Sequence, residues 1–206
     1  MGQLAFFFDG TRCTGCKTCM FACKDAYDLG VGNDYRKVYE CTGGETTKAA
    51  DGTISTSCFS YYVSLACCHC ASPVCTEVCP TRAMAKDEET GLVCVDAKRC
   101  IGCGYCHLAC PYNAPHVDAE KGHSVKCDGC RDLVAQGKTP VCVAACPARA
   151  LQFGDVDTMA ALGERADIFP LPPADTTYPN LFIKPNRDMR TPDAQDVALA
   201  NEAEVK

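Results

Sequence analysis

The sequence predicts an α+β chain assembled from two small modules that are held together through sulfur rather than by one hydrophobic core. Three observations predict it. Leu, Ile, Val and Phe together make up 38 of 206 residues, and Trp is absent; a share below about 20 % does not sustain an ordinary core. Cysteine supplies 20 residues, a density that calls for cross-links or metal. Sixteen of the cysteines fall into four quartets, and the quartets repeat one another two by two.

The metal reading follows from spacing. The quartets are Cys13, Cys16, Cys19, Cys23; Cys67, Cys70, Cys75, Cys79; Cys100, Cys103, Cys106, Cys110; and Cys127, Cys130, Cys142, Cys146. Intervals of three and four residues gather thiolates round one centre more readily than they bridge distant strands, which argues against a disulfide scaffold. The first and third quartets have the run C-x2-C-x2-C-x3-C, and a Pro follows the third; this is the bacterial two-cluster ferredoxin pattern, whose fourth cysteine serves the other cluster. Gly15, Gly102, Gly104 and Gly129 let backbone N–H groups approach the sulfurs, and the fourth cysteine is expected to open a helix. Isolated C-x2-C pairs also build zinc sites, but a third cysteine two residues on is foreign to them. A Rieske centre fails because Cys67-Cys68-His69 has no second Cys-x-His partner half. The fold class is therefore α+β with two bacterial ferredoxin-like (2x[4Fe-4S]) modules.

The repeats order the chain. Residues 9–16 match 96–103, each after a short apolar strand (4–8 and 92–95). Residues 73–84 match 140–151 in their cysteine, Pro and Arg positions. Quartet one thus resembles three, and two resembles four. A module needs one of each type, which leaves two pairings: one with two and three with four, or one with four and two with three. The short link from Cys79 to Cys100 favours the second. It gives one module from 1–34 plus 115–156 and another from 67–114. Residues 35–66 read as a β-hairpin insertion, with strands at 35–41 and 54–65 and turn signals at Gly43-Gly44 and Asp51-Gly52. Residues 157–206 read as a short helix and an extended, Pro-rich C-terminal arm. Half of the 12 prolines lie there, which excludes long helices and central strands. Tyr178, Leu181, Phe182 and Ile183 would anchor the arm on a partner.

Composition excludes other classes. A net charge of −6 argues against nucleic acid, which needs clustered Lys and Arg. The longest apolar run, 141–146, falls far short of the roughly 20 residues of a membrane helix. The first nine residues lack the basic leader and apolar length of a signal peptide.

Arg12-Cys13-Thr14-Gly15-Cys16-Lys17-Thr18-Cys19, the run from Cys100 to Tyr112, Lys126-Cys127-Asp128-Gly129-Cys130 and the tail from Asn180 to Asn186 resemble the iron–sulfur electron-transfer B subunits of dimethyl sulfoxide reductase, a four-cluster branch of the molybdopterin oxidoreductases. In the nitrate reductase branch the position of Cys103 is Trp. The resemblance implies four [4Fe-4S] clusters, ligated by Cys13, Cys16, Cys19 and Cys146; by Cys127, Cys130, Cys142 and Cys23; by Cys67, Cys70, Cys75 and Cys110; and by Cys100, Cys103, Cys106 and Cys79. It implies a non-catalytic subunit of an anaerobic respiratory complex, associated with the membrane only through its partners. Electrons would pass from a membrane quinol-oxidising anchor subunit, beside the Cys100 cluster, to a molybdopterin catalytic subunit, beside the Cys13 cluster. The alternatives are the same wire for another molybdopterin oxidoreductase (tetrathionate, polysulfide, formate), or a free polyferredoxin.

Other residues read more plainly. Cys41, Cys58, Cys68 and Cys94 are packing residues, with Cys68 placed to stand in as a ligand. His69, His107, His116 and His123 lack paired ligand spacing. Lys17, Lys24, Arg99, Lys126 and Arg131 are either solvated or placed to offset cluster charge.

Overall fold

A computed structural model describes residues 2–205. Along the chain run β1 (Leu4–Asp9), α1 (Thr18–Ala26), β2 (Arg36–Gly43), β3 (Thr46–Lys48), β4 (Ile54–Thr56), β5 (Phe59–Ala66), α2 (Val74–Glu77), β6 (Met84–Lys86), β7 (Val93–Val95) and α3 (Tyr105–Ala109). There follow β8 (His116–Asp118), β9 (His123–Val125), α4 (Arg131–Ala135), α5 (Val141–Ala144), β10 (Leu151–Asp155), α6 (Val156–Ala160), β11 (Glu164–Arg165), β12 (Leu181–Lys184), β13 (Val197–Leu199) and α7 (Glu202–Val205). Those that carry cysteines are short: each turns about one or two of them and then stops.

The internal repeat is visible in strand pairing. β1 precedes quartet one and pairs antiparallel with β10, which follows quartet four. β7 precedes quartet three and pairs antiparallel with β6, which follows quartet two. Backbone angles repeat as well: Gly15 and Gly102 share φ +68°, and Arg82 and Arg149 share φ +53°. At Gly15 the requirement for glycine is steric too, since a Cβ there would lie 2.4 Å from the Tyr62 ring.

β2 and β5 form an antiparallel hairpin from Arg36 opposite Ala66 to Gly43 opposite Phe59, tipped by the exposed ribbon β3–β4. Its inner face carries Val38, Tyr61, Val63 and Leu65 into the main core beside Phe6 and Phe8. The hairpin thus braces the cysteine-bearing loops.

The C-terminal segment corrects an expectation. It is extended, but it does not hold its apolar anchors ready for a partner. β12 lies parallel to β1 inside the sheet β10-β1-β12-β11, and Leu181, Phe182 and Ile183 are buried there. The reason is β1 itself, which is apolar on both faces. Phe6 and Phe8 enter the main core, while Ala5 and Phe7 pack with Met159 and Phe182. A lone β1–β10 ribbon would expose one edge of β1; β12 covers it. β13 similarly extends β2. Of the four anchors only Tyr178 is exposed. The short helix covers only Val156–Ala160, because Glu164 and Arg165 leave to pair with β12. Among the described residues, no helix is long and apolar enough to cross a membrane.

Candidate metal centres

Each of four short helices supplies two thiols one turn apart. Cys19 and Cys23 lie on α1, Cys75 on α2 with Cys79 just beyond, Cys106 on α3 with Cys110 at its end, and Cys142 on α5 with Cys146 just beyond. An i, i+4 pair shares a helix face and is offset about 6 Å along the axis, so the two sulfurs address neighbouring sites. The helices start before the third cysteine of the run, at Thr18 and Tyr105, rather than at the fourth. A residue in the left-handed region, Lys17 in one case and Gly104 in the other, turns the chain into them.

Three cavities result. Cys13, Cys16, Cys19 and Cys146 line the first, Cys79, Cys100, Cys103 and Cys106 the second, and Cys67, Cys70, Cys75 and Cys110 the third. The remaining four thiols, Cys23, Cys127, Cys130 and Cys142, act electrostatically on one another. Cys68 also lines the third cavity, as a fifth thiol.

The thiols are held by short polar contacts. Sγ of Cys146 accepts from Ala150 N–H (3.3 Å), Cys79 from Met84 N–H (3.4 Å), Cys100 from Ser124 N–H (3.3 Å) and Cys127 from Gly129 N–H (3.4 Å). Thr18 and Thr177 donate hydroxyls to Cys16 and Cys70. Cys19 pairs with the Ser64 hydroxyl and Cys106 with that of Ser124.

Burial and mutual repulsion work the other way. Burial pushes the Cys13 thiol up to about 11, and the Cys23, Cys70 and Cys75 thiols to about 12. The exposed Cys16 is lowered, chiefly by Thr18. Deprotonating the raised thiols calls for a positive centre beside them, so ligation displaces protons.

The donor set fits an iron–sulfur cubane, which takes four cysteine thiolates. Among the described residues no three Cys, His, Asp or Glu side chains close on a single-ion site; twelve of the quartet thiols instead line the three cavities in fours. The charge distribution fits as well. Arg36 is buried, and its Nε and Nη2 have no hydrogen-bond partner, while the groups that act on its charge are Cys142, Cys19, Cys127 and Cys23. A cluster held by these thiolates would supply the missing negative partner.

The spare residues resolve simply. Cys41 is buried in β2, Cys58 is exposed, and Cys94 sits half-buried in β7. His69 is buried, and its Nδ1 accepts from Val93 N–H at 2.9 Å; His107 and His123 bond backbone carbonyls. Lys17 pairs with Glu204, Lys24 with Asp34, Arg131 with Asp132, and Arg99 donates to Thr81 O. Of the five cations singled out from sequence, Lys126 alone is buried among thiols. Arg36 is not among those five, although it shares the buried face of β2 with Val38, two residues on.

Exposure divides the groups. Cys16 and Cys103, which occupy matching positions in the repeat, are the exposed members of the first and second cavities; the other two groups have none. Outside Cys103 stand Ile101, Tyr105 and Leu108, all exposed. The matching positions outside Cys16 are Thr14, Thr18 and Phe21, also exposed.

Comparison with known proteins follows the same lines. A family model described as a 4Fe-4S dicluster domain matches residues 58–156. The sequence is 52 % identical to the B subunit of anaerobic dimethyl sulfoxide reductase from Haemophilus influenzae over 206 residues, 100 % of both proteins. It is 50 % identical to the B subunit of anaerobic dimethyl sulfoxide reductase from Escherichia coli K12 over 204 residues, 98 % of each. It is 37 % identical to the B subunit of polysulfide reductase from Wolinella succinogenes over 184 residues, 87 % of this protein and 92 % of that one.

Proposed function

From the premise that this protein belongs to the B-subunit family of anaerobic dimethyl sulfoxide reductases, the iron–sulfur electron-transfer subunits of such complexes, we propose that it relays electrons through four [4Fe-4S] clusters. The donor is a membrane quinol-oxidising subunit and the recipient a molybdopterin catalytic subunit. The proposed ligand sets are Cys13, Cys16, Cys19 and Cys146; Cys23, Cys127, Cys130 and Cys142; Cys67, Cys70, Cys75 and Cys110; and Cys79, Cys100, Cys103 and Cys106. Division of the i, i+4 helix pairs between neighbouring groups is the observation that carries this reading.

The clusters would supply one-electron steps without bond chemistry on a substrate. The protein's own residues leave no exposed cysteine in the Cys127 and Cys67 groups, and the N–H and O–H donors they aim at the sulfurs favour the reduced state. They also leave one cysteine at each end open to a partner. The apolar surround of Cys103 suits the membrane-anchored subunit; the threonines round Cys16 suit the catalytic one. Which oxide is reduced is chosen in the partner's active site, not here, and the polysulfide reductase relative is a subunit of the same kind.

The test is composition. Anaerobically purified protein should carry about 16 irons and about 16 acid-labile sulfides, four of each per cluster. Half that iron, with two quartets titrating as free thiols, would reject the four-cluster reading.

A further inference from the structure

Among the described residues, Arg36 and Lys126 are the buried Lys and Arg side chains. Both lie between groups of thiols rather than within one. Arg36 opens β2. Its Nη1 donates to Ser64 Oγ at 3.1 Å, and that hydroxyl pairs with Cys19 of the Cys13 group at 3.4 Å. Its charge acts on Cys142, Cys127 and Cys23 as well as on Cys19. Its Nε and Nη2 have no hydrogen-bond partner, and the guanidinium carbon lies 4.9 Å from the centroid of the Phe6 ring. Lys126 precedes Cys127 and donates to the carbonyls of Val93 and Cys127. Val93, whose carbonyl it bonds, packs with Cys75, and the thiols that act on the Lys126 charge are Cys67, Cys127, Cys94 and Cys75.

Building on the four-cluster reading, we propose that Arg36 and Lys126 are fixed counter-charges at two successive cluster junctions, each raising the reduction potentials of the two clusters it separates. A thiolate-held cubane is anionic in both redox states and gains a further negative charge with each electron, no proton being taken up. A buried cation therefore stabilises the reduced form more than the oxidised one, at low effective dielectric. The arrangement is unequal by position. The Cys127 cluster feels both charges, the Cys13 cluster Arg36, the Cys67 cluster Lys126, and the Cys100 cluster neither. Burying a guanidinium with two nitrogens unbonded would be unfavourable without an anionic cluster beside it, which ties these charges to the loaded state.

The experiment is a potentiometric titration of the anaerobic holo complex followed by paramagnetic resonance, each step assigned through a Cys→Ser variant of its own group. Arg36→Met should make reduction of the Cys13 and Cys127 clusters at least tenfold less favourable, which is 59 mV for a one-electron couple. Lys126→Met should do the same to the Cys127 and Cys67 clusters. The Cys100 cluster should move less than threefold in both, and Arg36→Lys should stay within threefold of wild type. Full iron with no shift, equal shifts in all four clusters, or Arg36→Lys shifting as far as Arg36→Met overturns the proposal. Should Arg36→Met lose iron, loss confined to the Cys13 and Cys127 clusters and restored by Arg36→Lys supports it, and loss from all four that Lys does not restore overturns it. Wild-type protein showing fewer than four steps would instead overturn the four-cluster reading, so the two failures are distinguishable.

Discussion

The Cys13 and Cys100 quartets are near copies in sequence and in local geometry, yet their surroundings share little. Each quartet turns through a glycine at φ +68°, offers its third cysteine to a serine hydroxyl, and leaves its second cysteine exposed. Round Cys13 stand a four-stranded sheet, the β2–β5 hairpin, α7 and the buried Arg36. Round Cys100 stand the two-stranded β6–β7 and β8–β9 ribbons and an apolar outer face. The cysteine spacing encodes the cradle; residues outside it encode stability, potential and partner.

The largest expected difference concerns iron. At the Cys100 end the buried cluster reduces to Cys75, Met84, Val93 and Cys106, with Cys79 and Val95 against it. Such a core cannot stand without ligation. Anaerobic chelation should erase amide protection of β6 and β7 and lower it less in β1 and β5, whose buried cluster is far larger, and the iron-free protein should lose its single sharp melt. A sharp transition in the iron-free protein would contradict this.

The two ends should also differ under substitution of apolar residues. Ile183→Ala in β12 removes a buried side chain and should cost about 2–5 kcal/mol, with cluster loss beginning at Cys13. Ile101→Thr and Tyr105→Thr, which give the Cys103 surface the residues found round Cys16, should change stability by about 0.5 kcal/mol or less. They should nevertheless weaken capture of the membrane subunit. Thermal melts and co-purification separate the two outcomes; a stability loss at Ile101 as large as at Ile183 would remove the contrast.

The smallest effect lies within the repeat. Gly104 and Lys17 occupy the same left-handed position, and a Cβ at Gly104 has only Val117 near it, at 3.9 Å. Gly104→Asn should therefore cost no more than about 1 kcal/mol. Gly15→Ala, which drives a Cβ into Tyr62, should cost more. Comparing their melting temperatures checks this.

Much of this is legible in the sequence. Quartet spacing points to iron and sulfur, the repeats pick out β1 and β7, and the Gly-Gly and Asp-Gly turns mark the hairpin. What escapes depends on long-range contact. Prolines argue against a central strand near the C-terminus, yet Leu181–Lys184 itself contains none and pairs with β1 across almost the whole sequence. Arg36 reads as an ordinary strand cation, because nothing local shows that its neighbours are thiols from other segments. The i, i+4 relation of the last two cysteines in every quartet is visible throughout, and it goes with the separation of Cys75 from Cys79 and of Cys106 from Cys110 into different cavities.

Cys79 probes that division at its sharpest point. It lies four residues from Cys75 in sequence but shares its cavity with Cys100, Cys103 and Cys106. Paramagnetic spectra of the reduced Cys79→Ser and Cys103→Ser proteins should show the same resonance altered, with the signal of the Cys67 cluster unchanged. If Cys79→Ser instead alters the resonance that responds to Cys16→Ser, or the one that responds to Cys70→Ser, the crossed ligand sets are wrong.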